Sequence, residues 1–151
     1  MKGHLVMATV KDILVRKGTE TLNIAPEATV YDAACVMNEH RVGSLLVMDG
    51  SRLIGIFTER DILQRIVAQR RDPLATRVGD VMTGEVACCR LHTTLDEARG
   101  VMKNRRIRHL PVVDEEGCVL GLVSIGDLNA HDNHSHEQTI HFLEQYIHGQ
   151  V

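Results

Sequence analysis

The sequence predicts an α/β chain of the α+β kind, built from two βαββα repeats packed as one module. Three observations predict it: the chain duplicates itself, each copy carries one stretch with an apolar helical face, and each carries two short apolar runs split by a turn. The duplication is the strongest. Thr29-Val30 with Ala33 and Met37 recurs as Thr94-Leu95 with Ala98 and Met102, 65 residues later at every position. Val42-Gly43-Ser44-Leu45-Leu46-Val47 recurs as Ile107-Arg108-His109-Leu110-Pro111-Val112 at the same offset of 65. After one extra residue near Glu116, Gly55-Ile56-Phe57-Thr58-Glu59-Arg60-Asp61 recurs as Gly121-Leu122-Val123-Ser124-Ile125-Gly126-Asp127, now at 66. A repeat of this length is a supersecondary unit. A half of the 151-residue chain buries too little of its own surface to be stable alone, so the two copies must pack together.

Each element then follows in order. Val10 to Leu14 is a short lead-in, matched by Val78 to Met82 before the second copy. A short strand is expected near Leu22 to Ala25, punctuated by Pro26, and its counterpart near Val86 to Cys89. Val30, Ala33, Val36 and Met37 share one helical face, as do Leu95, Ala98, Val101 and Met102, so both helices face a core. Leu45 to Met48 and Leu53 to Phe57 flank Asp49-Gly50, while Leu110 to Val113 and Val119 to Val123 flank Asp114 to Gly117; these read as buried strand pairs joined by turns. A second helix starts at Thr58 and at Ser124. Arg70-Arg71-Asp72-Pro73 marks a linker, because proline disfavours helix in the residue before it. The expected organisation is residues 9–71 for the first repeat, 72–130 for the second, and 131–151 for a C-terminal linker and helix. In that tail Asn129 to Ser135 is polar and reads as a flexible linker, and Ile140, Leu143 and Ile147, with Phe142 and Tyr146 beside them, describe an amphipathic helix docked on its own domain or a partner subunit.

Composition narrows the function classes. With 17 basic and 20 acidic residues the formal net charge is −3, which offers no overall attraction to nucleic acid or an anionic membrane. A local basic stretch remains, Arg99, Lys103, Arg105, Arg106 and Arg108 without an acid among them, but 3% aromatic content supplies few platforms for stacking single-stranded bases. Nucleic acid is thus an alternative partner and not the favoured one. No stretch approaches a membrane span, and the apolar run Leu5 to Val10 is too short for a signal peptide. Cys35, Cys88, Cys89 and Cys118 lack C-x-x-C spacing and read as reduced core thiols of a cytoplasmic protein. His131, His134 and His136, with Asp132 near and His141 and His148 beyond, match no standard zinc spacing, so no metal is expected. The vicinal Cys88-Cys89 leaves redox response as a further alternative. No nucleophile motif, Walker loop or H-E-x-x-H is present, which argues against an enzyme.

The feature with most chemistry is Thr58-x-x-Asp61 and its copy Ser124-x-x-Asp127, each where a strand feeds a helix. A hydroxyl followed three residues later by an acid is an N-cap signature, and alone it means no more than that. A helix start, however, also accepts a phosphate on its free N–H groups. A carboxylate one turn along accepts from both ribose hydroxyls, as in dinucleotide-binding folds. Two copies in register favour the binding role.

With the helices of Met37 and Met102 and the strand Leu110-Pro111-Val112-Val113-Asp114, this pattern resembles the CBS (cystathionine-β-synthase-type) domain family over about residues 9–130. The resemblance implies a disk-like, non-catalytic regulatory or energy-sensing module, commonly a homodimer, with two clefts related by a pseudo-twofold axis. The ligands it implies are AMP, ADP, ATP, NAD or S-adenosylmethionine, with no cofactor required and an unnamed regulated protein as partner. It also implies clefts shared between repeats: Thr58 and Asp61 facing Ile107, Arg108 and His109, and Ser124 and Asp127 facing Val42, Gly43 and Ser44, with adenine among apolar strand residues such as Leu22. On that assignment Arg60, Arg108 and His109 gather around Thr58, so the Asp61 cleft is expected to hold phosphate more tightly than the Asp127 cleft. Arg60 in a first helical turn opposes the helix dipole, and a phosphate partner would explain it.

Overall fold

The computed structural model describes residues 7–135, with side chains through Asp132. Its element order is α1 (Val10–Lys17), β1 (Asn23–Ile24), α2 (Val30–His40), β2 (Ser44–Asp49), β3 (Arg52–Thr58) and α3 (Glu59–Asp61), then α4 (Val78–Val81), α5 (Leu95–Arg105), β4 (His109–Val113), β5 (Val119–Ser124) and α6 (Ile125–Ser135). Directly after α3 the chain runs on as a wider π-helical turn, Ile62–Val67, in which Ala68 N–H bonds the Leu63 carbonyl at 3.0 Å. The mixed helix and strand content is that of the expected α+β class. The C-terminal amphipathic helix around Ile140 to Ile147 lies outside the described residues. Asn129 to Ser135, expected as a flexible linker, instead continues α6.

The two long helices start and stop alike. Thr29 and Thr94 cap α2 and α5, their hydroxyls accepting from Asp32 N–H at 3.0 Å and Glu97 N–H at 3.1 Å. Arg41 and Arg106 end them in the left-handed region at φ 55° and 56°. Each helix buries the face foreseen: Val30, Ala33 and Met37 in one, Leu95, Ala98 and Met102 in the other.

The sheets differ in one strand. β1 lies parallel beside β2, which pairs antiparallel with β3, whereas β4 and β5 form a two-stranded hairpin. The strand expected near Val86 to Cys89 shrinks to a single parallel bridge between Cys89 and Val112. Proline is the cause. In the first copy Leu46 donates its N–H to the Leu22 carbonyl at 3.0 Å, but the matching residue of the second copy is Pro111, which has no N–H to give.

Packing crosses the chain. One core gathers Val30, Met37, Leu45, Val47, Phe57 and Ile66 with Val78 and Val81 of α4. The other gathers Leu95, Met102, Leu110, Val112, Val123 and Leu128 with Val10, Ile13 and Leu14 of α1. Thus α1, which precedes the first copy in sequence, is built into the second lobe, and α4 into the first. Backbone bonds hold both lead-ins: Val10 N–H to the Thr93 carbonyl at 2.9 Å, and Val78 N–H to the Ala28 carbonyl at 2.8 Å. Gly55 and Gly121 are where each lead-in lies flat on its hairpin. A Cβ at Gly121 would meet the Leu14 methyls at 2.9 and 3.0 Å, and one at Gly55 would meet the Met82 sulfur and, at 2.9 Å, the Thr83 carbonyl.

The thiols are not all core. Cys89 is buried; Cys35, Cys88 and Cys118 are exposed, because Cys35 sits on the outer face of α2 and Cys118 in the β4–β5 turn. Burial pushes the Cys89 thiol up to about 12, with Cys88 adding to the shift, and raises Cys88 too against a lowering by Arg90. Both changes work against a reactive thiolate, so the vicinal pair is poorly suited to redox sensing.

Candidate functional site

Antiparallel pairing decides which residues meet at each helix start. β3 ends where β2 begins, so Thr58 lies opposite Ser44, and Glu59 N–H bonds the Gly43 carbonyl at 3.1 Å. In the second lobe Ser124 lies opposite His109, and Ile125 N–H bonds the Arg108 carbonyl at 2.8 Å. The backbone-bonded neighbours of each hydroxyl–acid turn therefore come from its own copy, Gly43 and Ser44 for Thr58 and Arg108 and His109 for Ser124. Leu22 is half-buried against the first core, its carbonyl already used by Leu46. Contact across the seam is made by Arg60, whose guanidinium donates to the Arg106 carbonyl at 2.7 Å. That bond to the C-terminal end of α5 accounts for a cation in the first turn without a phosphate.

The two acids sit in unlike surroundings. Asp61 is 5% exposed. Its Oδ2 accepts from Thr58 N–H at 3.0 Å and from the Thr58 hydroxyl at 3.2 Å, and Oδ1 accepts from the Thr83 hydroxyl at 3.2 Å. The Arg65 Nε stands 3.8 Å from the same Oδ1, while its guanidinium caps α4 through the Val81 and Met82 carbonyls at 3.2 and 3.0 Å. Asp61 is thus the polar hub that ties α3 to the returning chain. Asp127 also closes a capping box, accepting from Ser124 N–H at 2.8 Å, yet its other partner comes from the exchanged helix: the Lys17 ammonium, 2.7 Å from Oδ2 and 2.9 Å from the Leu122 carbonyl. The sequence reading missed Lys17 because α1 was grouped with the copy it precedes. The signal that could have exposed it is Gly121, whose bare face requires something packed on it.

Two hollows flank these turns. One of about 390 Å³ lies between α2 and α3 of the first lobe, lined by Met37, Arg41, Val42, Gly43, Glu59 and Ile62 among others. The other, of about 210 Å³, lies between α1 and α6 and includes Asp127 in its wall. Among the described residues no three His, Cys, Asp or Glu side chains converge on a metal site, and His134, His136, His141 and His148 fall outside the described side chains. No helix among them is long and apolar enough to cross a membrane.

Electrostatics mark the seam at His109. Burial lowers its pKa below the ordinary 6.5; Asp127 and Glu59 work against that shift, and Lys17 and Arg108 add to it. Because the unfolded imidazole takes its proton first, acid favours unfolding. The stabilising effect of a neutral His109 is full above 6.5 and is lost as pH falls from there through the lowered folded value. Chemical denaturation at pH 7.5 and 5.5 should show a smaller acid loss for His109→Gln than for the parent chain; identical losses would mean His109 carries none of it.

Comparison with known proteins closes the description. The CBS domain profile matches residues 9–68 and 78–132. The chain is 37% identical over 150 residues to a mitochondrial CBS domain-containing protein, CBSX3, of Arabidopsis thaliana, covering 93% of this chain and 72% of that protein. Among solved structures, the CBS-domain protein NE2398 superposes with a TM-score of 0.80 at 38% identity, over 84% of this chain and 98% of the other. A CBS domain pair of protein MJ0100, in complex with 5′-methylthioadenosine and S-adenosyl-L-methionine, gives 0.76 at 24% identity over 86% and 99% of the two chains, a likeness of fold.

Proposed function

The chain belongs to the CBS domain family, as a pair of CBS repeats, and we propose that it is a non-catalytic regulatory module that senses an adenine nucleotide or adenosyl ligand. The ligands in view are AMP, ADP, ATP and NAD, with S-adenosylmethionine as the further member of the set. One observation carries this reading: a hydroxyl and a carboxylate three residues apart stand at the start of a helix in both lobes, Thr58 with Asp61 and Ser124 with Asp127. Capping alone explains the first copy, since Asp61 is saturated. It does not explain the second, where the acid faces a hollow.

In this reading Ser124, Asp127, Ile107, Arg108 and His109 form the better ligand side. Thr58, Arg60, Asp61, Val42, Gly43, Ser44 and Leu22 form a structural counterpart that binds weakly or not at all. That order reverses the one expected from sequence. Arg60 is engaged by a carbonyl, and the cations reach Asp127 from α1.

Signalling would use the exchanged lead-in. Lys17 is followed at once by Gly18 and the chain to β1 of the other lobe. A ligand that binds one arrangement of Lys17 and Asp127 more tightly biases the angle between lobes by that difference in affinity, and no more. A second copy of the chain fits the exposed apolar side chains Tyr31, Leu63 and Val67 on the outer helices, which supports a homodimer acting on a separate regulated protein. Three exposed thiols suit a reducing compartment such as the cytoplasm. Nucleic acid is the weaker partner, because Arg99 of the basic stretch is held by Asp132 at 2.6 Å.

Mass spectrometry of small molecules retained through native purification, followed by calorimetry with AMP, ATP, NAD and S-adenosylmethionine, tests the function. Saturable binding of at least one is expected; four flat titrations with an empty retained fraction would end the proposal.

A further inference from the structure

We infer that the hollow between α2 and α3 is a binding site for a free α-amino acid with an apolar side chain, its carboxylate taken by Arg41 and its ammonium by Glu59. Such a ligand is additional to the nucleotide proposed above.

The hollow carries one charge of each sign. Arg41, at the end of α2, and Glu59, the first residue of α3, both line it. Among the described residues neither side chain makes a hydrogen bond or ion pair, with the other or with anything else. Opposite charges that share a wall without meeting suit a ligand that bears both. The planar fork of Arg41 matches a carboxylate in two places at once. Glu59 accepts from an ammonium, and Asn38 adds an amide that can donate or accept.

The rest of the wall is apolar. It is supplied by Ala34, Met37, Val42 and Ile62, and the unbranched thioether of Met37 adapts to side chains of different shape. At about 390 Å³ the hollow falls in the lower part of the roughly 300–1,000 Å³ typical of small-molecule sites.

Gly43, just before β2, makes room for the anion. A Cβ there would run into Glu59 Oε1, the far end of a flexible side chain, so a methyl group would push the carboxylate aside and leave the fold in place. Glycine at this position therefore serves where the charge lies. In the second copy both features are gone: Gly43 is matched by Arg108 and Glu59 by Ile125. Ala34 is matched by Arg99, which ties α5 to α6 through Asp132 at 2.6 Å, so the small residue leaves the first groove without that tie. Arg60 closes the end of α5 at the Arg106 carbonyl, whereas its counterpart Gly126 has no side chain to close the end of α2.

Calorimetry on the intact chain with L-leucine, L-methionine, L-leucine methyl ester and N-acetyl-L-leucine tests the site. Leucine and methionine should bind saturably, and each leucine derivative, lacking one charge, at least tenfold more weakly than leucine. Arg41→Gln should weaken leucine at least tenfold and leave the methyl ester unchanged; Glu59→Gln should weaken leucine as much and leave N-acetylleucine unchanged. Gly43→Ala should weaken leucine with the thermal midpoint retained. Two results on the parent chain overturn the site whether or not the variants fold: no saturable binding of leucine or methionine, or derivatives that bind as tightly as leucine. Leucine binding undiminished in folded Arg41→Gln and Glu59→Gln overturns it as well.

Discussion

Asp61→Ala is expected to lower the unfolding free energy by roughly 2–4 kcal/mol, while Asp127→Ala costs no more than about 1–2. The difference follows from what each acid holds. Removing Asp61 leaves the Thr58 hydroxyl cap in place but deletes the other half of the capping box, the acceptor for Thr58 N–H, and strands the part-buried Thr83 hydroxyl, for which about 1–3 kcal/mol is usual. Removing Asp127 deletes the same half of a capping box, but its ion pair with Lys17 is exposed at 37% and 23%, and pairs of that exposure contribute about 0–1 kcal/mol. Urea denaturation of both variants measures the gap. Equal losses would mean Asp61 is not the hub its bonds describe. The comparison also separates fold from binding: loss of ligand in Asp61→Ala counts only if measured where that variant remains folded.

Gly55→Ala should destabilise the chain by about 1–3 kcal/mol, the usual cost of forcing a methyl group into a filled space, and Gly121→Ala by distinctly less. Both glycines let a lead-in lie against a hairpin, yet their neighbours differ in kind. Gly121 faces the two methyls of the buried Leu14, a side-chain end that can shift by a few tenths of an ångström where a backbone atom cannot. A Cβ at Gly55 would stand 2.9 Å from the Thr83 carbonyl, which is fixed by accepting from Ile56 N–H at 3.0 Å. A backbone atom pinned by its own hydrogen bond cannot yield without breaking it. Thermal unfolding of the two variants side by side measures the order, and Gly121→Ala being the worse of the pair would contradict it.

Much of this was legible from residue order. The helical faces of Val30, Ala33 and Met37 and of Leu95, Ala98 and Met102, and the hairpins around Asp49-Gly50 and Asp114 to Gly117, follow from periodicity and turn chemistry, which act over a few residues. The backbone neighbours of Thr58 and Ser124 were legible too, since an antiparallel hairpin places the end of its second strand beside the start of its first. The missing strand at Val86 to Cys89 was signalled by Pro111, once the parallel partner was known. The exposure of three of the four cysteines was not legible, because a thiol gives no periodic signal of its own.

What the sequence by itself determined is the local structure and its duplication: which segments are helix or strand, where each starts, and that a hydroxyl and an acid recur at both helix starts. What only the tertiary structure decided is the exchange of lead-ins, and with it the unlike fates of Asp61 and Asp127. A carboxylate's role depends on which donors reach it. For Asp61 these are Thr58 three residues before, Arg65 four after and Thr83 at 22, whereas for Asp127 the deciding donor is Lys17, 110 residues away. Hydrogen bonds and charge act over a few ångströms of space, and no pattern along the chain records which distant segment will be brought within that reach.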